Sequence, residues 1–409
     1  MKKLYLSLVS LCVLVSSLSA LSNLKLEPLW EFSLNKNGVP SYMVPYVWNM
    51  SQRSMAVHND VLYINNMGNG NIAKVNTADG TTLGDVTTTL IANPNFWYKN
   101  CIAITDDGEA ILGSSGTGST YFIFTSCDLA TASTTSLGNV TVNGMGRSDY
   151  FDIYGNRNTA EGGYIAFASN SNKVGYIPMA NGVFGTPVLS GQIDAAVSSL
   201  TSALAIVKDE NSFFYVFQNP KPKLFNKTDF TFVEMAGVDA APSGTNSGGA
   251  YFKFKGKEYL IIAHGSFGAI RILDITAGLN KAEEVFITDD LGNSDKGKSP
   301  AITPICVDVQ ADHVKIFAMA AENGIVAYKF QDNSTVGMDD ETSQAAYAYA
   351  NNGILTVKAN GGEKITVSDL SGRILYTGIA SEAVTEISDI NSGQIVIVRI
   401  GEVASKVKL

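Results

Sequence analysis

The residues able to do chemistry gather in three stretches, each standing just before an apolar run. Ser41 to Arg53, SYMVPYVWNMSQR, carries Tyr42, Tyr46, Trp48 and Arg53; Asn93 to Asn100, NPNFWYKN, carries Phe96, Trp97, Tyr98 and Lys99. Gly144 to Asp149, GMGRSD, adds Arg147 and Asp149, and Lys298 stands before a later run. Two of the three Trp residues fall in these stretches. An aromatic ring covers the apolar face of a pyranose, and a guanidinium forks onto a carboxylate or sulfate. The set Tyr42, Tyr46, Trp48, Arg53, Trp97, Tyr98, Lys99, Arg147 and Asp149 therefore suits a complex, acidic carbohydrate. The competing reading makes the rings packing plugs and the cations ordinary loop charges.

Acid–base chemistry has thinner support. His58, His264 and His313 each sit beside a turn and form no cluster. Asp149 or Asp152 with Arg147 or His264 would serve a hydrolase or lyase acting on extracellular glycans or lactones. A third class, a scaffold for protein partners, would show a broad exposed apolar patch. No CxxC or HxxxH spacing occurs, and no metal or cofactor is expected. Asp106-Asp107-Gly108-Glu109 reads as a hairpin turn. Thr288 to Asp295, TDDLGNSD, offers oxygen ligands around a glycine but lacks the EF-hand spacing and its terminal Glu.

The elements that must carry these residues are short strands. From Ser54 to Gly84 three apolar runs are separated by His-Asn-Asp and Asn-Met-Gly-Asn-Gly-Asn and closed by Thr-Ala-Asp-Gly, residues that tolerate the backbone of tight hairpins. The unit recurs with first strands near Ser54, Cys101, Tyr150, Ala203, Ala250 and Pro304, a period of roughly 50 residues. That predicts a six-bladed β-propeller, with seven blades as the alternative. The last unit, ICVDV, HVKIFAM and IVAYKF, lacks a fourth strand, and LWEFS from Leu29 would fill the place, because ring closure hides open sheet edges. In a propeller the loops leading into the innermost strands surround one mouth of the central channel, where the chemical residues above would lie. One or two helical turns are expected within 190–202 and 279–284.

Met1-Lys2-Lys3 followed by the apolar Leu4 to Leu18 reads as a secretory signal peptide over residues 1–22. Later runs fall short of the roughly 20 apolar residues of a membrane span. The propeller is expected over 23–335, a polar linker over 336–346, and a small Ig-like β-sandwich over 347–409. Charged residues make up only 16% of the chain, as in turn-rich secreted β-proteins, and the net charge of −9 excludes nucleic acid as a partner. Cys101 and Cys127 would lie two strands apart in one blade, about 9.6 Å and beyond disulfide reach. Free, mostly buried thiols follow.

Lys364 to Thr377, KITVSDLSGRILYT, with Ile387 to Ile400, ISDINSGQIVIVRI, and the ending Lys406-Val407-Lys408-Leu409 resembles the C-terminal sorting domain of the Bacteroidetes type IX secretion system. Asp369, Gly372 and Arg373 form its D-x-x-G-R hairpin, and Gly393 leads the following strand. The propeller is similar to secreted Bacteroidetes proteins of unknown function. The resemblance implies engagement of the secretion machinery and a place at the outer-membrane surface or outside the cell, or in the periplasm if sorting fails. Together these features point to a secreted or cell-surface binding protein whose partner is a polysaccharide or a surface protein.

Overall fold

A computed structural model describes residues 23–43, 52–66, 71–88, 100–115, 120–169, 171–193, 203–218, 221–295, 302–332, 347–351, 354–359, 363–380, 384–388, 390, 394–400 and 403–408. The chain divides into two compact units, Met1–Asn333 and Ser334–Leu409.

The first unit is a β-propeller. Among the described residues it holds six antiparallel sheets, each built outward from an inner strand. The inner strands are Gln52–His58 of sheet I, Cys101–Ile104 of sheet II, Phe151–Gly155 of sheet III, Leu204–Asp209 of sheet IV, Gly249–Phe254 of sheet V and Ile305–Val309 of sheet VI. Each touches the inner strands on both sides, and the strand of sheet VI returns to that of sheet I, so the ring is closed. Sheet VI is completed from the other end of the chain. Leu24–Ser33 pairs antiparallel with Gly324–Asp332 in a register running from Leu24 against Asp332 to Ser33 against Gly324.

Alternation along the strands sends apolar side chains into the gaps between sheets, and each gap holds its own core. Phe122, Phe124 and Met145 meet Phe151, Ile165 and Phe167 between sheets II and III. Between sheets V and VI, Phe252 and Tyr259 pack against Phe330. Trp30 of the closing strand packs against Leu62, Val75 and Phe317 between sheets VI and I, and its indole N–H donates to the Thr77 carbonyl at 2.9 Å. Ion pairs span the same gaps: Arg157 to Glu109 at 2.7 Å, Lys208 to Glu258 at 3.0 Å, Lys257 to Asp332 at 3.2 Å and Lys315 to Asp60 at 2.7 Å.

The outermost strands of sheets I and II, Thr82–Thr87 and Thr134–Thr141, carry little apolar pattern because most of their residues face solvent, with Val86 and Val140 buried; Thr82 to Asp85 are exposed. The helical turn expected near 279 is a single 3-10 turn, Leu279–Lys281, while 194–202 lies outside the described residues. Among the described residues no helix is long and apolar enough to cross a membrane.

The second unit is a sandwich of a three-stranded sheet, Tyr347–Asn351, Ile354–Lys358 and Val384–Ile387, and a four-stranded one, Ile374–Ile379, Lys364–Asp369, Ile395–Ile400 and Val403–Lys408. Leu355 and Val357 of the first meet Ile365, Val367, Val396 and Val398 of the second in one core. Asp369 shapes the hairpin before Ile374. Its carboxylate accepts the Ser371 and Arg373 N–H groups at 2.9 and 3.0 Å and the Arg373 Nε–H at 3.1 Å.

Candidate functional site

The six inner strands enclose a central cavity of about 270 Å3. Its wall is formed by consecutive rather than alternate residues of each strand, among them Ser54–Val57, Cys101–Ile104, Leu204–Val207 and Pro304–Val307. The free edges of the inner strands therefore face the lumen, with backbone N–H and C=O groups that have no neighbouring strand.

Around part of the ring, a side chain of one inner strand satisfies the edge of the next. Ser54 Oγ accepts the Ile102 N–H at 2.8 Å, the Cys101 thiol donates to the Phe151 carbonyl at 3.1 Å, and Asp152 Oδ2 accepts the Val207 N–H at 2.8 Å. Asp152 Oδ1 also accepts the Ile153 N–H at 2.9 Å. Asp152 is part-exposed to the lumen but lies deep in the protein, and burial pushes its pKa up to about 6 against the pull of those two donors. Burial likewise pushes the Cys101 thiol up to about 12.

At one end of the cavity Arg53, Arg147, Asp149 and Tyr150 come together. Arg147 forks onto Asp149, with Nε and Nη2 at 2.7 Å from Oδ1 and Oδ2. Arg53 approaches the same carboxylate at 3.6 Å and donates its Nε–H to Tyr150 Oη at 2.9 Å. The Asp149 side chain is 0% exposed. Burial holds the Tyr150 hydroxyl protonated far above its ordinary range, with Arg53 offsetting only part of the effect.

The segment carrying Asp149 and Tyr150 is set by Ser148. The Ser115 hydroxyl of sheet II donates to the Ser148 carbonyl at 2.8 Å, and the Ser148 hydroxyl donates to the Ala168 carbonyl of sheet III at 2.6 Å. Gly144 and Gly146 take left-handed φ angles of 78° and 71° on either side of the buried Met145. This chain of anchors carries Arg147 back over Asp149.

Of the residues singled out in the sequence, Arg53, Arg147 and Asp149 are thus brought into one cluster. Tyr42 goes elsewhere: it packs at the core between sheets VI and I, and its hydroxyl donates to the Gly80 carbonyl at 3.2 Å. Tyr46, Trp48, Trp97, Tyr98, Lys99 and Lys298 lie outside the described residues. Sequence reasoning missed Tyr150 and Ser54. A tyrosine and a serine at the head of apolar inner strands were the available signal. Thr288 to Asp295 runs beside sheet V, with the Thr288 and Leu291 N–H groups bonded to the Ile270 and Phe267 carbonyls. Among the described residues no three His, Cys, Asp or Glu side chains are grouped to hold a metal ion. Cys101, Cys127 and Cys306 are not disulfide-bonded.

No protein-family model and no curated protein matches the chain. Among solved structures it is similar to a streptogramin B lyase, at 10% identity over 76% of this chain and 99% of that one, TM-score 0.45. It is similar to BamB from Moraxella catarrhalis, at 13% identity over 89% and 97%, TM-score 0.36. The computationally designed Ika8 protein aligns at 13% identity over 94% and 100%, TM-score 0.34. No residue, ligand or reaction is carried over from these proteins. The β-propeller architecture stands on the chain's own six sheets and their closed ring.

Proposed function

We propose that this chain is a secreted or surface-displayed recognition protein that binds an acidic carbohydrate at the mouth of the propeller channel. The observation supporting the reading is the meeting of Arg53 and Arg147, from two separate segments, on the buried Asp149 beside Tyr150. A carboxylate so enclosed holds two guanidinium groups in fixed orientation, and oriented forks recognise planar anions. The aromatic-rich stretches around Trp48 and Trp97 supply ring faces for the neutral part of a sugar. Export by the N-terminal leader, and sorting through the C-terminal unit with its Asp369 hairpin, belong to the same proposal. They place the protein at the outer-membrane surface or in the medium, or in the periplasm where sorting does not operate.

A hydrolase or lyase at the same mouth is the second reading, favoured by the raised pKa of Asp152. Both are tested by titrating the full chain with polygalacturonate and with a neutral polysaccharide at low and high salt. Saturable, salt-weakened binding of the acidic polymer, reduced by joint Trp48→Ala and Trp97→Ala substitution, is the expected result. Release of smaller saccharides over hours would move the enzyme forward. Equal or absent binding of both polymers would overturn the acidic-carbohydrate reading.

A further inference from the structure

The cavity behind the mouth has its own chemistry. Its wall of strand edges presents backbone donors and acceptors around the lumen, which suits a ligand bearing many hydroxyls better than a hydrocarbon. At about 270 Å3 it lies just below the range of about 300–1,000 Å3 typical of small-molecule sites. That is room for one sugar ring with its substituents and not for a chain lying lengthwise.

Two of its polar groups have capacity left after their internal bonds. Tyr150 is 3% exposed; its oxygen accepts the Arg53 Nε–H, so its own O–H is available to donate. Each Asp152 oxygen accepts one backbone N–H and keeps a further acceptor site. The two residues lie two positions apart on one extended segment, about 7 Å. A donor pair, Arg53 with Tyr150, thus faces one end of a ring-sized space, and an acceptor lies deeper within it.

We infer that the channel receives the terminal residue of an acidic glycan, end-on, with its carboxylate against Arg53 and Tyr150 and a ring hydroxyl donating to Asp152. The inference rests on the acidic-carbohydrate reading of the mouth and adds its mode: chain ends and free uronic acids are bound, and internal segments are not.

The test is calorimetry and competition on the full chain with galacturonate, trigalacturonate and polygalacturonate, compared at equal concentrations of chain ends, with galactose as the neutral control. The expected result is affinity per end that is constant across the series, competition by galacturonate, and none by galactose at the same concentration. Tyr150→Phe, which keeps the ring and its packing, should weaken galacturonate roughly tenfold, since hydrogen bonds to charged groups are among the stronger ones. Asp152→Asn provides a second variant, weakening galacturonate while its amide oxygen can still accept the Val207 N–H. Polymer binding that galacturonate does not displace, or affinity per end that rises with chain length, would overturn end-on capture and leave the mouth reading standing. Unchanged affinity in both variants would do the same. If no uronate binds at any length, both readings fall.

Discussion

Replacing Asp149 with alanine isolates the charge cluster at the mouth. Its carboxylate is 0% exposed, and the two arginine side chains that meet it are 9% and 14% exposed. Removing one partner of a buried ion pair typically costs about 3–5 kcal/mol, because the remaining charge keeps its desolvation penalty without its counterion. Here two guanidinium groups lose a shared carboxylate, and about 4 kcal/mol is expected. For a propeller of about 310 residues, the unfolding entropy of roughly 2.1 cal/mol/K per residue gives about 1.5 °C per kcal/mol, or a fall in Tm of about 6 °C. Calorimetry on the full chain measures it, reading the propeller transition. A double-mutant cycle with Arg147→Ala adds specificity: contacting partners couple by about 0.5–3 kcal/mol, so Arg147→Ala should cost less once Asp149 is gone. A Tm within 1 °C of the parent, or equal cost of Arg147→Ala in both backgrounds, would refute the view that the carboxylate holds the two arginines.

Two further outcomes follow from the geometry. Gly80 has a φ of 73°, and a Cβ there would come within 2.6 Å of Phe32 and 2.7 Å of Trp30; Gly80→Ala should therefore lose about 2–4 kcal/mol of stability in urea titration, and a loss below 1 kcal/mol would contradict the packing of the closing strand. Asp152 has a folded-state pKa of about 6, above the ordinary 3.8, so its contribution to stability is full below about pH 4 and is lost as pH rises through 6. Stability should fall by up to about 3 kcal/mol across that window, the component should vanish in Asp152→Asn, and an identical pH profile in parent and variant would refute it.

Much of the ring was legible because the first two strands of each sheet form paired apolar runs joined by turn residues, the second of the two being the more deeply buried. The expected starts at Cys101, Tyr150 and Ala250 fall at or within one residue of observed strands, since each opens a sheet whose second strand, such as Gly163–Ser169 or Lys257–Ala263, is a nearly continuous buried apolar run. The partnership of Leu24–Ser33 with sheet VI was also readable, as a strand without a blade meeting a blade without a strand. Outer strands such as Thr82–Thr87 were not, because an exposed edge places no demand on hydrophobicity. The mouth was legible by residue type and not by pairing. Arg53 and Asp149 are 96 positions apart in sequence, and the convergence of the inner strands on one channel brings them together. Tyr42 looked like a ligand platform because loop aromatics and core aromatics have the same composition; its hydroxyl bond to Gly80 separates them.

The pairing of Leu24–Ser33 with Gly324–Asp332 also orders events in time. During vectorial synthesis the first of these strands emerges long before its partner exists. Until about three hundred further residues have followed, one sheet lacks its outer member and the circle stands open. Closing such a long loop is slow, since the entropy is spent before the contacts form. The pairing is thus a clasp whose two halves are made at opposite ends of synthesis, and a chain truncated anywhere before Asp332 loses some or all of the far side of it.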